Sequence, residues 1–325
     1  MRNQINSSST PSFSLLSQML ALPQLLRLPN VLMIVFIQFL LYTFILERWA
    51  YRTQTTLNLS FEGLVYIMIS CGLIAAGGYI INDYYDQEID EINVPERRVI
   101  GRIIQPKTAL RTYITLNIIG IIFSIPLIKV DIAILALHIF SIILLWLYAK
   151  FFKAIPFLGN LIIAFLCGLM AAEIFVPDNL LFRLPYTLNP DTATEFYQSF
   201  AWQYIGFIIY ATLLRELSKD VEDIAGDAKG NRLTLPLLIG WSKIRYILII
   251  AHIVLAIILG FKSWSLWQEA QHYTSVYVGC VLCFYLLIPI VLMFRIREAR
   301  QFKVISRLLK IYFLLGLGWL WLFTS

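Results

Sequence analysis

The feature that most constrains this 325-residue chain is a series of uninterrupted apolar runs, each long enough to cross a bilayer as a helix. The runs are continuous rather than alternating, which excludes a transmembrane β-barrel. The chain is 59% hydrophobic and only 14% charged, well outside the usual composition of soluble domains. The sequence therefore predicts an all-α, polytopic membrane protein, a bundle of nine transmembrane helices at about 28–46, 63–85, 108–128, 131–149, 157–176, 200–218, 243–261, 274–294 and 304–323.

Lysine and arginine residues are distributed unevenly between the two sides of these runs. With the N-terminus in the cytoplasm, 21 of the 26 Lys and Arg residues fall on the cytoplasmic side and 5 on the other side. The formal net charge of +6 is then mostly a consequence of topology and does not indicate a nucleic-acid partner. We expect an integral cell-membrane protein, with a polar and interfacial segment at 1–27 and a single transmembrane domain at 28–323.

Two segments each carry three aspartates spaced i, i+3 and i+7, and each follows an apolar run on the predicted cytoplasmic side. The first reads N-D-Y-Y-D-Q-E-I-D at 82–90, and the second reads K-D-V-E-D-I-A-G-D at 219–227. This spacing places three carboxylates on one helix face, where they repel one another and need a cation. The two acid triplets are Asp83, Asp86 and Asp90, and Asp220, Asp223 and Asp227.

A site made of carboxylate oxygens suits Mg²⁺, which proteins bind through a few carboxylates plus substrate phosphates. We expect metal ligands at Asp83, Asp86, Asp220, Asp223 and Asp227, within a catalytic set that also holds Asn82 and Asp90. Nearby cations would complete a clamp for phosphate or diphosphate. These cations are Arg97, Arg98, Lys153, Arg215 and Lys219.

Three further residues are candidates for substrate binding. Arg27 and Asn30, in R-L-P-N at the start of the first run, are either a snorkelling anchor with a helix cap or polar groups that face the acids. Tyr148, at the exit of the fourth run, offers a ring face to a carbocation, as do Tyr84 and Tyr85.

A diphosphate held with Mg²⁺ at the mouth of an apolar bundle describes a lipid diphosphate whose tail lies in the membrane. The favoured reaction is ionisation of an allylic diphosphate to a carbocation, which an acceptor then captures. No G-x-x-x-x-G-K loop supports an NTPase, and no Ser/His/Asp or H-E-x-x-H pattern supports a hydrolase. The plainer alternative is two solvated helix ends whose acids pair with loop cations.

These motifs resemble those of the UbiA superfamily of intramembrane prenyltransferases. The likeness covers most of the chain and extends to R-L-P-N, Y-A-K-F-F-K and L-G-N. It implies a UbiA-like fold, Mg²⁺, a polyprenyl diphosphate and metal–diphosphate roles for Asn82 and the six aspartates. It also implies phosphate contacts for Arg27, Arg97, Lys153 and Lys219. The two motifs are most similar to the branch that transfers geranylgeranyl groups to a glycerol-phosphate lipid.

One departure concerns the loop after the first triplet. The family continues N-R-P-D-R-P-I-P-S-G-R, whereas this chain has N-V-P-E-R-R-V-I-G-R. That loop borders the acceptor site, so an aromatic or quinone-precursor acceptor stays open beside the lipid-like one. A cation or lipid transporter is a further alternative, although transporter sites usually lie near the bilayer midplane. The sequence indicates no obligate protein partner.

The cysteines and one histidine lie inside the apolar runs. Cys280 and Cys283 form a C-x-x-C pair without a second pair or polar neighbours. The sequence therefore favours packing roles over metal or redox chemistry for Cys71, Cys167, Cys280, Cys283 and His138.

Overall fold

A computed structural model describes residues 15–93, 95–182, 192–230 and 232–322. In these ranges the chain is helical, and its only β pairing is an isolated bridge between Ile100 and Ile104. The predicted all-α class is therefore confirmed. Residues 1–14 lie outside the described part, and the interfacial segment enters it as a helix at Leu15–Leu25, which contains Pro23.

Eight helices in the described part are long and apolar enough to cross a membrane. They correspond to eight of the nine predicted runs, with ends that mostly differ by a few residues. The number 6 is kept for the helix that contains the remaining run. In chain order the eight helices are span 1 (Leu28–Thr53), span 2 (Phe61–Tyr85), span 3 (Pro106–Lys129), span 4 (Ile132–Lys150), span 5 (Leu158–Phe175), span 7 (Trp241–Gln268), span 8 (His272–Arg295) and span 9 (Ala299–Leu322).

The remaining predicted run, 200–218, lies inside span 6, a 31-residue helix at Thr192–Glu222. Span 6 packs against spans 5, 7 and 9, so it belongs to the bundle. It is less apolar than the other spans because Gln203 lies in its middle and charged residues occupy its last turns. The helix begins eight residues before the predicted run, so the sequence prediction placed this boundary too late.

Span 2 lies at the centre of one half of the bundle, in contact with spans 1, 3 and 4. Its most apolar stretch is 61% buried, the largest share among the eight apolar helices. Small residues allow this close packing, since a Cβ added at Gly77 would lie 2.9 Å from the Asn117 Nδ2 atom of span 3. The first acid triplet thus lies at the end of a helix that is packed against three other spans.

Aromatic rings hold span 6 against span 9. The ring of Trp319 lies 5.4 Å from that of Phe200 and 6.0 Å from those of Tyr204 and Phe207. Tyr204 also donates a hydrogen bond of 3.3 Å to the Gly316 carbonyl. Edge-to-face contacts of buried rings add to the free energy of burial, so this cluster fixes the helix that delivers the second triplet.

Two short helices join the acidic ends of spans 2 and 6. One is Gln87–Asn93, the other is Ile224–Lys229, and they contact each other. The Asn93 side chain donates to the Asp223 carbonyl at 3.1 Å and accepts from the Gly226 N–H at 2.9 Å. A Cβ at Gly226 would lie 2.3 Å from the Asn93 amide nitrogen, so glycine permits this approach. The two helices bring the distant motifs together.

Candidate active site

The two acid motifs meet in one small chamber of about 40 Å³, which five of the six aspartates line; Asp83 is not part of its lining. Aspartates from both motifs line it, together with cations from the segments before span 1 and after span 4, from the last turn of span 6 and from the segment after span 6. We call it the acidic chamber; its charged lining residues are Asp86, Asp90, Asp220, Asp223, Asp227, Glu216, Arg27, Lys153, Lys219 and Arg232.

Asp86 lies at the centre of the charge network. Its Oδ1 atom forms an ion pair with Arg232, and its Oδ2 atom pairs with Lys153 and accepts from Asn82 at 2.9 Å. Lys153 also donates to the Asn82 side-chain carbonyl at 3.0 Å. Burial alone would raise the pKa of Asp86, but Lys153 and Arg232 outweigh it and lower the pKa to about 2. Asp86 is thus ionised at any physiological pH.

Asp83 is held by Arg27, the residue that precedes span 1. The Arg27 Nη2 atom lies 2.5 Å from Asp83 Oδ1, and its guanidinium lies 5.0 Å from the centre of the Tyr79 ring. Arg27 adopts left-handed backbone angles, φ 47° and ψ 49°, which are uncommon for a residue other than glycine. Burial would lower the pKa of Arg27, yet Asp83 and the neighbouring acids raise it. Arg27 therefore faces the acids, as one of the two sequence interpretations held.

The aspartates of the second triplet contact either a neutral amide or a cation 4.0 Å away. The Asn160 side chain donates to Asp220 Oδ2 at 2.9 Å, from the first turn of span 5. Lys219 Nζ lies 4.0 Å from Asp223 Oδ2, one helical turn away. Arg232 Nη1 lies 4.0 Å from Asp227 Oδ1. Because Arg232 also contacts Asp86, it bridges the two motifs.

The two chamber carboxylates that lie in the short helices outside the spans, Asp90 and Asp227, carry raised pKa values. Burial raises the pKa of Asp90 to about 6, with Asp86 and Asp83 adding to the shift. Burial likewise raises the pKa of Asp227 to about 6, although Lys153 opposes it. Among the described side chains, Asp90 has no ion pair. Such an excess of acidic oxygens is the donor set that Mg²⁺ prefers, so the residues present fit that ion.

The other described cations that the sequence predicted for this site lie in three different places. Lys153 and Lys219 line the chamber, whereas Arg215 pairs with Glu216 and lines the adjoining cavity together with Asn30. Arg98 is directed elsewhere, since it pairs with Glu91 at 3.1 Å and donates to the Ile100 carbonyl at 3.1 Å.

Arg98 therefore does not take the position expected of a phosphate ligand. It is drawn to the acid and carbonyl of its own loop, which lie closer along the chain. The side chain of Arg97 lies outside the described residues.

Sequence reasoning missed two residues of this site, Arg232 and Asn160. Arg232 was counted only as a topological charge, although its position five residues after Asp227 in the same loop was a usable signal. Asn160 belongs to the L-G-N segment and opens span 5.

An apolar cavity of about 420 Å³ adjoins the acidic chamber. Spans 1, 2, 4, 5, 6 and 9 line it, with side chains such as Ile34, Ile74, Leu145 and Ile163. Tyr148 borders both the cavity and the chamber, as do Arg27, Glu216 and Lys219. A charged head group in the chamber thus has direct access to space for an apolar tail.

Together these features define a polytopic membrane protein with an acidic, phosphate-compatible site at the mouth of an apolar cavity. The family model of the UbiA prenyltransferase family matches residues 40–314, so the chain belongs to that family.

Curated relatives are similar over part of their length. The chain is 36% identical over 188 residues to the digeranylgeranylglyceryl phosphate synthase of Saccharolobus solfataricus, covering 57% of this chain and 60% of the relative. It is also 36% identical over 189 residues to the enzyme of that name from Methanosphaera stadtmanae, covering 58% of this chain and 62% of the relative. The chain thus spans less than two thirds of the length of these relatives.

Solved structures share the fold. One structure, of digeranylgeranylglyceryl phosphate synthase in membranes, matches with a TM-score of 0.57 at 20% identity, covering 93% of this chain and 97% of that one. A UbiA homolog from Archaeoglobus fulgidus bound to GPP and Mg²⁺ matches with a TM-score of 0.55 at 15% identity, covering 92% and 99%. At these identities the likeness establishes the architecture of the bundle.

Proposed function

We propose that this protein is a Mg²⁺-dependent prenyltransferase, which moves a polyprenyl group from its diphosphate to a lipid-like acceptor. One observation carries the proposal: five aspartates from two acid triplets 137 positions apart line one chamber that adjoins an apolar cavity. A solvated pair of helix ends does not account for this arrangement, because five of the six aspartates line one chamber and two of them, Asp86 and Asp227, are buried.

The donor's diphosphate would lie in the acidic chamber and its tail in the cavity. Arg27, Lys153, Lys219 and Arg232 surround the chamber and supply positive charge for phosphate oxygens. The 420 Å³ cavity supplies an apolar volume of the size that ordinary ligand pockets have. We infer geranylgeranyl diphosphate as the donor from the branch of the family that the motifs resemble.

Mg²⁺ would be held by the aspartates of both triplets and would neutralise the diphosphate as it leaves. Asp90, Asp220 and Asp223 are the most available ligands, because their contacts with described cations are absent or long. Asp86 is available only if Lys153 or Arg232 releases it. Asp83 is likewise shared with Arg27.

The chain's own residues then control the transfer. The bond between C1 of the donor and the diphosphate oxygen breaks, the acceptor's hydroxyl oxygen bonds to C1, and a chamber carboxylate accepts the hydroxyl proton. Tyr148, at the junction of chamber and cavity, offers its ring to the allylic cation. The apolar cavity excludes the water that would otherwise capture that cation.

A glycerol-phosphate lipid is the favoured acceptor, because the curated relatives bear the name of digeranylgeranylglyceryl phosphate synthase. We also infer that the acidic end of the bundle faces the cytoplasm, from the 21 to 5 division of cationic residues. Cysteine-accessibility labelling of intact cells at Glu88→Cys, beside the first triplet, tests this orientation. Labelling by a membrane-impermeant reagent from outside would contradict it.

The test of the activity uses purified protein in detergent, where no ion gradient exists. Geranylgeranyl diphosphate and Mg²⁺ are supplied with a panel of acceptors, and mass spectrometry identifies the product. We expect turnover with a phosphorylated glycerol ether, and its loss in Asp86→Asn and Asp223→Asn. Glu88→Gln is the matched control, an exposed acid in the first motif that does not line the chamber.

The outcomes separate the alternatives. Product with an aromatic acceptor alone would replace the lipid acceptor and keep the reaction class. Absence of any product, with Mg²⁺-dependent ion or lipid flux in vesicles, would replace the enzyme by a transporter.

A further inference from the structure

A second polar cluster lies deep in the bundle, far from the acidic chamber. Cys71 of span 2, His138 of span 4 and Glu173 of span 5 each border the apolar cavity, and each is only 2% exposed. One ligand atom of each residue lies within 4.8 Å of the other two. At the rise of an α-helix, Cys71 lies about 17 Å along span 2 from Asn82, so this cluster is distinct from the acid triplets.

Two serines fix the orientation of the histidine ring. His138 Nδ1 lies 2.7 Å from the Ser124 hydroxyl and 3.1 Å from the Ser70 hydroxyl. His138 Nε2 lies 3.2 Å from Glu173 Oε2, but its geometry is not that of a hydrogen bond, and among the described residues this buried nitrogen has no hydrogen-bond partner. Metal-binding histidines are typically held in this way, with one nitrogen bonded to a neighbour and the other free for the ion.

A glutamine holds the carboxylate in the same manner. Gln38 Nε2 donates to Glu173 Oε1 at 2.5 Å and to the Met170 carbonyl at 3.0 Å. This leaves Glu173 Oε2 as the oxygen nearest to His138. Gln38 Oε1 is buried without a hydrogen-bond partner in the described part of the chain. It offers an acceptor for a water molecule at the cluster.

We propose that Cys71, His138 and Glu173 bind a Zn²⁺ ion. A thiolate, an imidazole and a carboxylate are each established zinc ligands, and three protein ligands leave a fourth position for water. A thiolate and a carboxylate together balance the charge of the ion, which makes burial of Glu173 within the bundle far less unfavourable. Mg²⁺, which prefers oxygen ligands alone, does not compete for this site.

The ion would join spans 2, 4 and 5 at the inner end of the cavity. Binding converts the Cys71 thiol to a thiolate, and its proton leaves through the cavity. The site limits the depth available to an apolar tail, but it does not depend on the proposed transferase activity. Its metal content is measured without any substrate.

The first experiment measures metal content. Purified protein is exposed to Zn²⁺ or Co²⁺ in detergent, desalted and analysed by mass spectrometry for metals and by absorption. We expect about one ion per chain and a near-ultraviolet band from cobalt–thiolate coordination. Both should be lost in Cys71→Ser and His138→Gln. They should persist in Cys167→Ser, the matched control, whose thiol lines the same cavity outside the cluster.

Variants of the residues that orient the proposed ligands provide a further test. Gln38→Leu and Ser124→Ala should weaken Zn²⁺ affinity about 10- to 100-fold without removing a ligand. Size-exclusion profiles show whether each variant is folded. Retention of the ion by Cys71→Ser, or unchanged affinity in both Gln38→Leu and Ser124→Ala, would overturn the proposal.

A measurement on the unaltered protein covers the case in which the variants do not fold. Zn²⁺ should slow alkylation of Cys71 by a small, membrane-permeable reagent and leave the rate at Cys167 unchanged. Equal rates at Cys71 with Zn²⁺ and with a chelator would show a hydrogen-bonded network without a metal, and the proposal would fail.

Discussion

Arg232, in the loop after the second acid triplet, forms an ion pair with Asp86, the central carboxylate of the first triplet. The two residues are 146 positions apart, and the arginine also lies 4.0 Å from Asp227. A single arginine side chain thus connects an aspartate of the first motif to an aspartate of the second. The bridge explains how carboxylates from two helices stay together despite their mutual repulsion.

Removing this bridge should destabilise the protein. Arg232→Ala leaves Asp86 buried with Lys153 as its remaining cation, so we expect the free energy of unfolding to fall by about 2–3 kcal/mol. Arg98→Ala is the control, because its partner Glu91 is 68% exposed and such pairs contribute about 0–1 kcal/mol. Unfolding in detergent measures both. Equal effects of the two substitutions would contradict the bridging role.

A methyl group at Gly226 should separate the two short helices. Gly226→Ala places a Cβ 2.3 Å from the Asn93 amide nitrogen, and overpacking of this kind costs about 1–3 kcal/mol. We expect lower stability and weaker Mg²⁺ binding, with partial recovery in Gly226→Ala combined with Asn93→Ala. Gly206→Ala, where a Cβ meets no atom within 4 Å, should leave Mg²⁺ binding unchanged. Normal Mg²⁺ affinity in Gly226→Ala would show that the helices can move apart freely.

Binding of Mg²⁺ should weaken steeply below pH 6. The pKa values of Asp90 and Asp227 are raised to about 6, in both cases chiefly by burial. Below pH 6 both carboxyl groups hold protons that the ion must displace, so its dissociation constant should rise at least about tenfold per pH unit. Above pH 7 it should level off. Calorimetric titration between pH 5 and pH 8 checks this, and a flat profile would exclude both groups as ligands.

Filling the inner cavity should shorten the donor chain that the protein accepts. Met170→Trp places a larger side chain in the cavity lining, so a long-chain diphosphate should lose about tenfold or more in kcat/KM. A short-chain donor should lose little. Ile118→Trp, on the 55% exposed outer face of span 3, is the control. An equal loss for short and long donors would show that the tail does not lie in this cavity.

The span pattern and the acid triplets could be predicted from the sequence because both depend on short-range spacing. The length of each continuous apolar run predicted a transmembrane helix, and the i, i+3, i+7 spacing predicted that the acids share one helix face. Span 6 was predicted too short because its first turns are polar and aromatic. A contact that holds the first turn, the 2.9 Å hydrogen bond from Trp49 Nε1 of span 1 to Thr194 Oγ1, depends on the fold and is not visible in the sequence.

Long-range contacts could not be predicted in this way. The roles of Arg232 and Asn160 depend on partners 146 and 60 positions away. Arg98 does not line the chamber, because its guanidinium pairs with Glu91 of its own segment. Cys71 and His138 each resembled packing residues on their own, and only the fold places them beside Glu173.

The central claim is that the two triplets form one metal–diphosphate site. Its most direct test is a double-mutant cycle on Mg²⁺-dependent binding of a non-reacting prenyl diphosphate analogue, with Asp90→Asn, Asp223→Asn and the pair. We predict non-additive losses, with a coupling energy of about 0.5–3 kcal/mol between the two positions. Strictly additive losses would mean that the triplets bind independently, and the shared site would be refuted.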